Sequence, residues 1–219
     1  MFVDDPLYQS LAGWTLPIGG EFEYLGHVAE NVALWDSGHV QDVAYYHAEY
    51  DAEIHHTDAQ VGRLLDELSR IALLDDTLVV LTADHGESFG EHNLFFQHGR
   101  CVYQENCYVP LIIYVPGAKT KRRVSVPVEN FSAMPTILQL LGLQVPDQVE
   151  ARSLVPLLVK KTEAPVDRVA FSEGGHDPEL FRAVRQGDWN LIWNWHYRPT
   201  PAEAWKITQL PKRDAFWGH

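Results

Sequence analysis

The sequence predicts an α/β protein with a small C-terminal antiparallel sheet, and three features of the chain support this prediction. Residues 44–70 carry apolar side chains at helical spacing, with acidic residues on the opposite side, which is typical of an amphipathic helix. Two short apolar segments, 77–82 and 109–117, are typical of buried strands. Over residues 168–195 apolar and polar residues alternate, which indicates antiparallel strands.

The long helix and the strand after it form the first predicted unit of the fold. Asp75 and Asp76 form a turn between them, and the β-branched run Thr77–Thr82 then reads as a short strand. A helix, a tight loop and a fully apolar strand make half of a βαβ unit. The apolar stripe of the helix consists of Ile54, Val61, Leu64, Leu65 and Leu68.

A second helix is predicted over Ser132–Leu141, after the strand at 109–117. Pro135 falls in its first turn, where a missing N–H is tolerated, and Gly142 lies just past its end. The segment QVPDQVEA that follows is a linker.

The character of the chain changes after this linker. RVAFSEGG is predicted as a strand, and residues 181–195 are predicted to bend at Gln186-Gly187-Asp188 into a hairpin. We therefore expect two parts, an α/β part over residues 1–158 and a small antiparallel part with a tail over residues 159–219.

Composition narrows the possible partners. The net charge of the 219-residue chain is −13, and residues 1–99 hold 18 acids against two arginines. Such an acidic first half argues against nucleic acid and is compatible with a cation site. No apolar run reaches 18 residues, so no membrane span is predicted, and the first residues do not resemble a signal peptide. Cys101 and Cys107 are expected to be buried free thiols, with a bridge as the alternative.

The segment TADHGESFGEH, residues 82–92, places polar side chains directly after a hydrophobic strand. Asp84 and His85 fall at the carboxyl end of that strand, where open α/β sheets bind ligands. A carboxylate oxygen beside an imidazole nitrogen is a suitable pair of ligands for a divalent ion, and Gly86 allows the sharp turn that would aim them. The alternative is that Asp84 caps a helix and His85 is a surface residue.

A longer set of motifs resembles the second half of the sulfatase family, within the alkaline-phosphatase superfamily. In order, these motifs are Asp84-His85-Gly86-Glu87, Gly90-Glu91-His92, His98-Gly99, Tyr103-Gln104-Glu105 and Val109–Gly117, followed by VENFSAMPTILQLLG and Ser153-Leu154. The likeness covers about residues 44–158. It implies a partial alkaline-phosphatase-like mixed sheet flanked by helices, ahead of the small antiparallel sheet.

The resemblance also implies roles for individual residues. Asp84 and His85 would bind a divalent metal ion, usually calcium in the family. His98 would contact the sulfate or the leaving oxygen, for which a histidine is suited because its pKa lies near working pH. His92 is a candidate for substrate binding, with a surface or capping role as the alternative. The substrate implied by the family is a small-molecule sulfate ester.

One departure from the family bears directly on activity. Sulfatases use a nucleophile in a Cys/Ser-x-Pro-x-Arg motif, with the cysteine oxidised to formylglycine in most members, and no residue here matches it. We therefore expect a metal-dependent sulfate-ester hydrolase by family, represented by its C-terminal half and inactive alone. A phosphate or phosphonate ester hydrolase and a non-catalytic binding or assembly protein remain alternatives. A half-sheet would also expose apolar surface, so a homo-oligomer is expected.

Overall fold

The computed structural model describes residues 42–99, 101–119, 121–159, 168–176, 179–194 and 205–209. Its helices are α1 Val43–Arg70, α2 Gln104–Cys107, α3 Ala133–Leu140 and α4 Val155–Val159. Its strands are β1 Val79–Thr82, β2 Ser88–Phe89, β3 Phe95–Gln97, β4 Leu111–Tyr114, β5 Val169–His176, β6 Glu179–Gln186, β7 Trp189–Asn194 and β8 Trp205–Gln209.

The chain divides into two compact units. Within the described residues, the first unit consists of 42–75 and 87–97, and the second consists of 76–86 and the residues from 98 onward. The first unit therefore holds α1 and the β2–β3 hairpin, and the second holds the remaining strands and helices.

Helix α1 confirms the predicted amphipathic helix. Asp42 caps its start, because the Asp42 carboxylate accepts the N–H of Ala44 at 3.0 Å and so satisfies one of the free donors of the first turn. The buried residues of the helix lie near this end, at Val43, Ala44 and Ala48. Ile54 and Leu64 of the predicted stripe are 52% and 59% exposed.

An aromatic cluster joins α1 to the β2–β3 hairpin. The ring of buried Phe89 lies 4.8 Å from the ring of His47 and 4.9 Å from that of Tyr50, and Phe96 packs edge-on against it at 5.7 Å. Burial lowers the pKa of His47, and the nearby Glu91 carboxylate opposes this shift. These apolar contacts hold the hairpin on the first two turns of the helix.

In the second unit, β1 and β4 form a two-stranded antiparallel sheet. The register pairs Val79 with Tyr114 and Thr82 with Leu111. The residues that follow Thr82 therefore emerge beside the start of β4. Along β4 the side chains alternate, with Ile112 and Tyr114 exposed.

Helix α3 confirms the second predicted helix and follows a short 3-10 turn over Asn130–Ser132. Gly142 has φ +70, a left-handed conformation that glycine adopts without strain at a helix end. Thr136 ties the helix to the chain 18 residues further on, because its hydroxyl donates to the Ser132 carbonyl at 2.6 Å and accepts the N–H of Leu154 at 2.7 Å.

The small C-terminal sheet has the strand order β5-β6-β7-β8 and is antiparallel throughout. The hairpin predicted at 186–188 is confirmed, since β6 ends at Gln186 and β7 begins at Trp189. On one face of this sheet, Val102 packs with Ala183 and Ile192 in a buried cluster, with Tyr103 and Phe181 against it.

Both cysteines are free thiols, as the sequence predicts, although only Cys101 is buried and Cys107 is exposed. Across the described part of the chain, no helix combines the length and the apolar character needed to cross a membrane.

The contacts of Thr136 can be tested by its replacement. We expect Thr136→Val to lower the free energy of unfolding by about 1–3 kcal/mol, because the buried N–H of Leu154 loses its acceptor. Urea unfolding measures the change. Ser132→Ala is the matched control, since the Ser132 hydroxyl is fully buried and has no hydrogen-bond partner among the described residues. It should change stability by less than about 0.5 kcal/mol. Equal losses in the two variants would contradict this account.

Candidate active site

The loop after β1 is fastened at its start by Asn130. The Thr82 hydroxyl donates to the Asn130 side-chain oxygen at 2.7 Å, and the Asn130 amide donates to the Ala83 carbonyl at 2.9 Å. Asn130 belongs to the turn before α3, 47 residues further along the chain than Ala83. The loop that carries Asp84 and His85 therefore leaves the strand in a fixed direction.

The same loop is fastened at its end by Gly86. The Gly86 N–H donates to the Asn106 carbonyl at 2.9 Å. A Cβ at position 86 would lie 1.9 Å from the carbonyl oxygen of Glu105, which no real contact allows. Only glycine lets the loop approach α2 this closely.

Asp84 is held as an ionised acceptor. Its carboxylate accepts the His85 backbone N–H at 3.0 Å. That bond is the main reason that the pKa of Asp84 is lowered, followed by its own backbone N–H and the charge of His85, with a smaller effect from His98. The side chain is 87% exposed, so a ligand can reach its oxygens directly.

His85 is oriented by the backbone next to it. Its Nδ1 lies 2.8 Å from the Gly86 carbonyl oxygen. Because a carbonyl oxygen only accepts, Nδ1 must carry the proton, and in the neutral ring Nε2 then presents a lone pair. Nε2 lies 3.5 Å from the Asp84 Oδ2 atom. The carboxylate oxygen of Asp84 and the Nε2 lone pair of His85 therefore lie side by side.

His98 completes a three-residue group. Its ring is stacked on the ring of His85, with centroids 4.1 Å apart and planes 12° from parallel. Three residues that the sequence singled out thus lie together at the carboxyl end of β1.

His92 belongs to the other compact unit, where it is exposed and has φ +55 in the turn over Glu91–Asn93.

The two acidic residues between His85 and His98, Glu87 and Glu91, accept hydrogen bonds from backbone N–H groups close to them in sequence. The Glu87 carboxylate accepts the N–H of Ser88 at 3.2 Å, and the Glu91 carboxylate accepts the N–H of Phe89 at 2.8 Å. Within the ranges that the structure describes, no group of three or more His, Cys, Asp or Glu side chains is arranged to hold a metal ion.

Sequence reasoning missed the residues that hold this group in place. Asn130 and Asn106 are 46 and 22 residues from Asp84 along the chain, and neither lies in a recognisable ligand pattern. Asn106 is buried and accepts a hydrogen bond from the Cys101 thiol at 3.3 Å. Gly86 carried a local signal for a sharp turn, but not for its close approach to the Glu105 carbonyl.

Comparison with known proteins assigns the chain to a family. Residues 17–143 match the family model named sulfatase, and residues 90–213 match the model named N-sulphoglucosamine sulphohydrolase, C-terminal. The chain is 34% identical over 149 residues to the choline-sulfatase of Rhizobium meliloti (strain 1021), which covers 66% of this chain and 28% of that protein. It is 32% identical over 184 residues to the N-acetylglucosamine-6-O-sulfatase of Bacteroides thetaiotaomicron, with 72% and 33% covered. The chain thus spans about a third or less of the length of these relatives.

Solved structures agree with this placement. A protein solved in complex with its substrate D-glucosamine-2-N,6-O-disulfate superposes with a TM-score of 0.67 at 28% identity, over 83% of this chain and 38% of that chain. A 2-O GAG sulfatase superposes with a TM-score of 0.60 at 22% identity, over 82% and 38%, which shows the fold alone.

The fold is therefore a partial alkaline-phosphatase-like α/β fold with a small C-terminal antiparallel sheet, as the sequence predicts. The chain belongs to the sulfatase family.

The close approach at Gly86 can be tested with two glycine variants. We expect Gly86→Ala to lower the free energy of unfolding by about 1–3 kcal/mol, because the added methyl group overlaps the Glu105 carbonyl. The control is Gly62→Ala inside α1, where the added methyl group meets nothing within 4 Å. That variant should gain about 0.5–1 kcal/mol from helix propensity. Urea unfolding of both variants measures the difference, and a Gly86→Ala variant as stable as the wild type would rule out the contact.

Proposed function

We propose that this chain supplies the cation-binding pair and the leaving-group histidine of a metal-dependent sulfate-ester hydrolase. The observation that carries the proposal is the group formed by Asp84, His85 and His98 at the end of β1. Membership of the sulfatase family supports the reaction class. We also propose the division into an α/β part over residues 1–158 and a small antiparallel part over residues 159–219.

The donor chemistry of Asp84 and His85 fits a divalent cation. Two ligand atoms at about 2.1 and 2.4 Å from one ion, at right angles, lie about 3.2 Å apart. The 3.5 Å between Nε2 and Oδ2 is close to that spacing. When bound, such an ion would act as a Lewis acid on the ester oxygens. The family resemblance favours calcium, and two ligands alone would hold it weakly.

His98 is proposed to act on the leaving oxygen. Stacked on His85, its ring faces the same end of β1 as the cation pair. A protonated imidazole can donate to the oxygen of the departing alcohol and so stabilise the charge that develops there. His92 is proposed as a substrate-binding residue, for which its exposure leaves the imidazole accessible.

Sulfate esters are the substrate class that the relatives support. The choline and N-acetylglucosamine relatives are named as sulfatases, and the structure that superposes at a TM-score of 0.67 was solved with a disulfated glucosamine as its substrate. A phosphate or phosphonate ester would suit the same donors. The second candidate is a non-catalytic binding role, which one observation favours: none of the 219 residues matches the Cys/Ser-x-Pro-x-Arg nucleophile motif.

The cation pair can be tested with Mn²⁺ as a paramagnetic probe. We expect Mn²⁺ to broaden the NMR signals of His85 and His98 first, with a Kd of about 1 mM, as in sites with few protein ligands. Asp84→Asn should weaken this binding at least about tenfold, because a neutral amide attracts the cation less than a carboxylate. Asp76→Asn, an exposed acid in the turn before β1, is the control and should leave the Kd unchanged. Equal broadening in all three proteins would disprove the site.

Catalysis by the 219 residues can be tested directly. We expect no turnover of p-nitrophenyl sulfate or p-nitrophenyl phosphate above the buffer rate, with or without calcium, because the chain contains no nucleophile motif. Steady-state absorbance measures this. Metal-dependent turnover that disappears in Asp84→Ala would show a nucleophile outside the family motif, and the preferred ester would then distinguish a sulfatase from a phosphatase.

We further propose that copies of this chain associate. The β1–β4 pair leaves strand edges open within the described residues, and Ile112 and Tyr114 are exposed on β4. Light scattering at about 100 µM should show a dimer or larger species. Ile112→Lys should shift it toward monomer, whereas Phe171→Lys on β5 should not. A wild-type protein that stays monomeric would refute this proposal.

A further inference from the structure

The residue directly after His98 is bonded to the small C-terminal sheet. The Gly175 N–H donates to the Gly99 carbonyl at 2.6 Å, a short and strong backbone contact. Both residues have positive φ, +74 at Gly99 and +116 at Gly175, a region that favours glycine. Strand β5, which carries Gly175, is the first strand of its sheet, so this bond uses an edge that no strand in the described sheet occupies.

The next residues of the same segment are packed onto that sheet. Val102 is only 2% exposed and lies in the cluster with Ala183 and Ile192. Gly174 lies beneath it, because a Cβ there would come within 3.2 Å of the Cys101 carbonyl oxygen and 3.3 Å of the Val102 Cγ1 atom. The backbone after His98 therefore rests directly on β5, with Val102 as its apolar anchor.

The end of the segment at Asn106 is hydrogen-bonded to the loop that carries Asp84 and His85. The Asn106 carbonyl accepts the N–H of Gly86, the residue next to His85. The position of Asn106 is fixed in turn, because its buried side-chain oxygen accepts a hydrogen bond from the Cys101 thiol at 3.3 Å. One segment, residues 98–99 and 101–106, thus begins at His98 and ends at the backbone that is hydrogen-bonded beside His85.

We propose that the small C-terminal sheet is the positioning element of the candidate active site, acting through Gly174 and Val102. The sheet sets the position of residues 98–99 and 101–106, and that segment sets the distance between the rings of His85 and His98. In this proposal Gly174 and Val102 act on the two rings through the backbone between them. The inference rests on the proposed function for the purpose of the group, while its geometry can be tested without metal or substrate.

The test follows the ring-proton NMR signals of the histidines in metal-free protein, at one fixed pH about two units above the ordinary histidine pKa. Each stacked ring shields the protons of the other. Gly174→Ala forces the Cys101–Val102 backbone to move by a few tenths of an ångström, so the ring protons of both His85 and His98 should shift downfield as the stack opens. Val102→Ala, which removes the anchor without a clash, should produce the same two shifts.

Reference signals and a control variant separate positioning from loss of the fold. His55 and His56, on α1 in the other compact unit, should keep their shifts in both variants. Gly62→Ala, which adds a methyl group into open space, should move neither His85 nor His98. Val102→Ile keeps a branched apolar side chain at the anchor and should retain the wild-type stack. If Gly174→Ala and Val102→Ala fold and leave His85 and His98 unshifted, the proposal is wrong. Failure of Mn²⁺ binding in every variant would instead count against the proposed function.

Discussion

The peptide group of Gly86 is the constraint on which the candidate site depends. Its N–H donates to the Asn106 carbonyl, and its carbonyl accepts Nδ1 of His85, so one residue fixes both the path of the loop and the tautomer of the ring. No other residue type fits, because a Cβ would overlap the Glu105 carbonyl. A displaced Gly86 peptide group would therefore move His85 and also remove the acceptor that favours a proton on Nδ1 and a lone pair on Nε2.

The electrostatics of the group follow from this backbone arrangement. A backbone N–H directed at the Asp84 carboxylate keeps its pKa low, and the charges of His85 and His98 add to that effect. The imidazole beside it is oriented by the Gly86 carbonyl, which lies 2.8 Å from Nδ1 and leaves Nε2 next to the Asp84 carboxylate. An ionised carboxylate next to a neutral imidazole is the state in which both can share a cation, since each must be deprotonated at its ligand atom.

Local sequence patterns predict much of this fold and the adjacency of Asp84 and His85. The spacing of apolar residues indicates α1, and Gly142 marks the end of α3, because both depend on interactions within a few residues. Asp84 and His85 are adjacent in sequence, so their proximity is equally local. The support of His98 by Gly175 is different, because 76 residues separate Gly99 from Gly175 and no periodicity records such a contact. Contacts of this kind are fixed by tertiary packing and appear only in the structure.

Exposure decides how strongly the site can act. The Asp84 side chain is 87% exposed and that of His85 is 42% exposed, so water screens the attraction between their atoms and any cation. Coulomb energies rise about fourfold when the effective dielectric constant falls from that of water to the value typical of a protein surface. Any protein or substrate surface that covers Asp84 would therefore strengthen the proposed cation binding without a change in ligand geometry. The backbone contacts of Gly86 supply the geometry, and the removal of water would supply the strength.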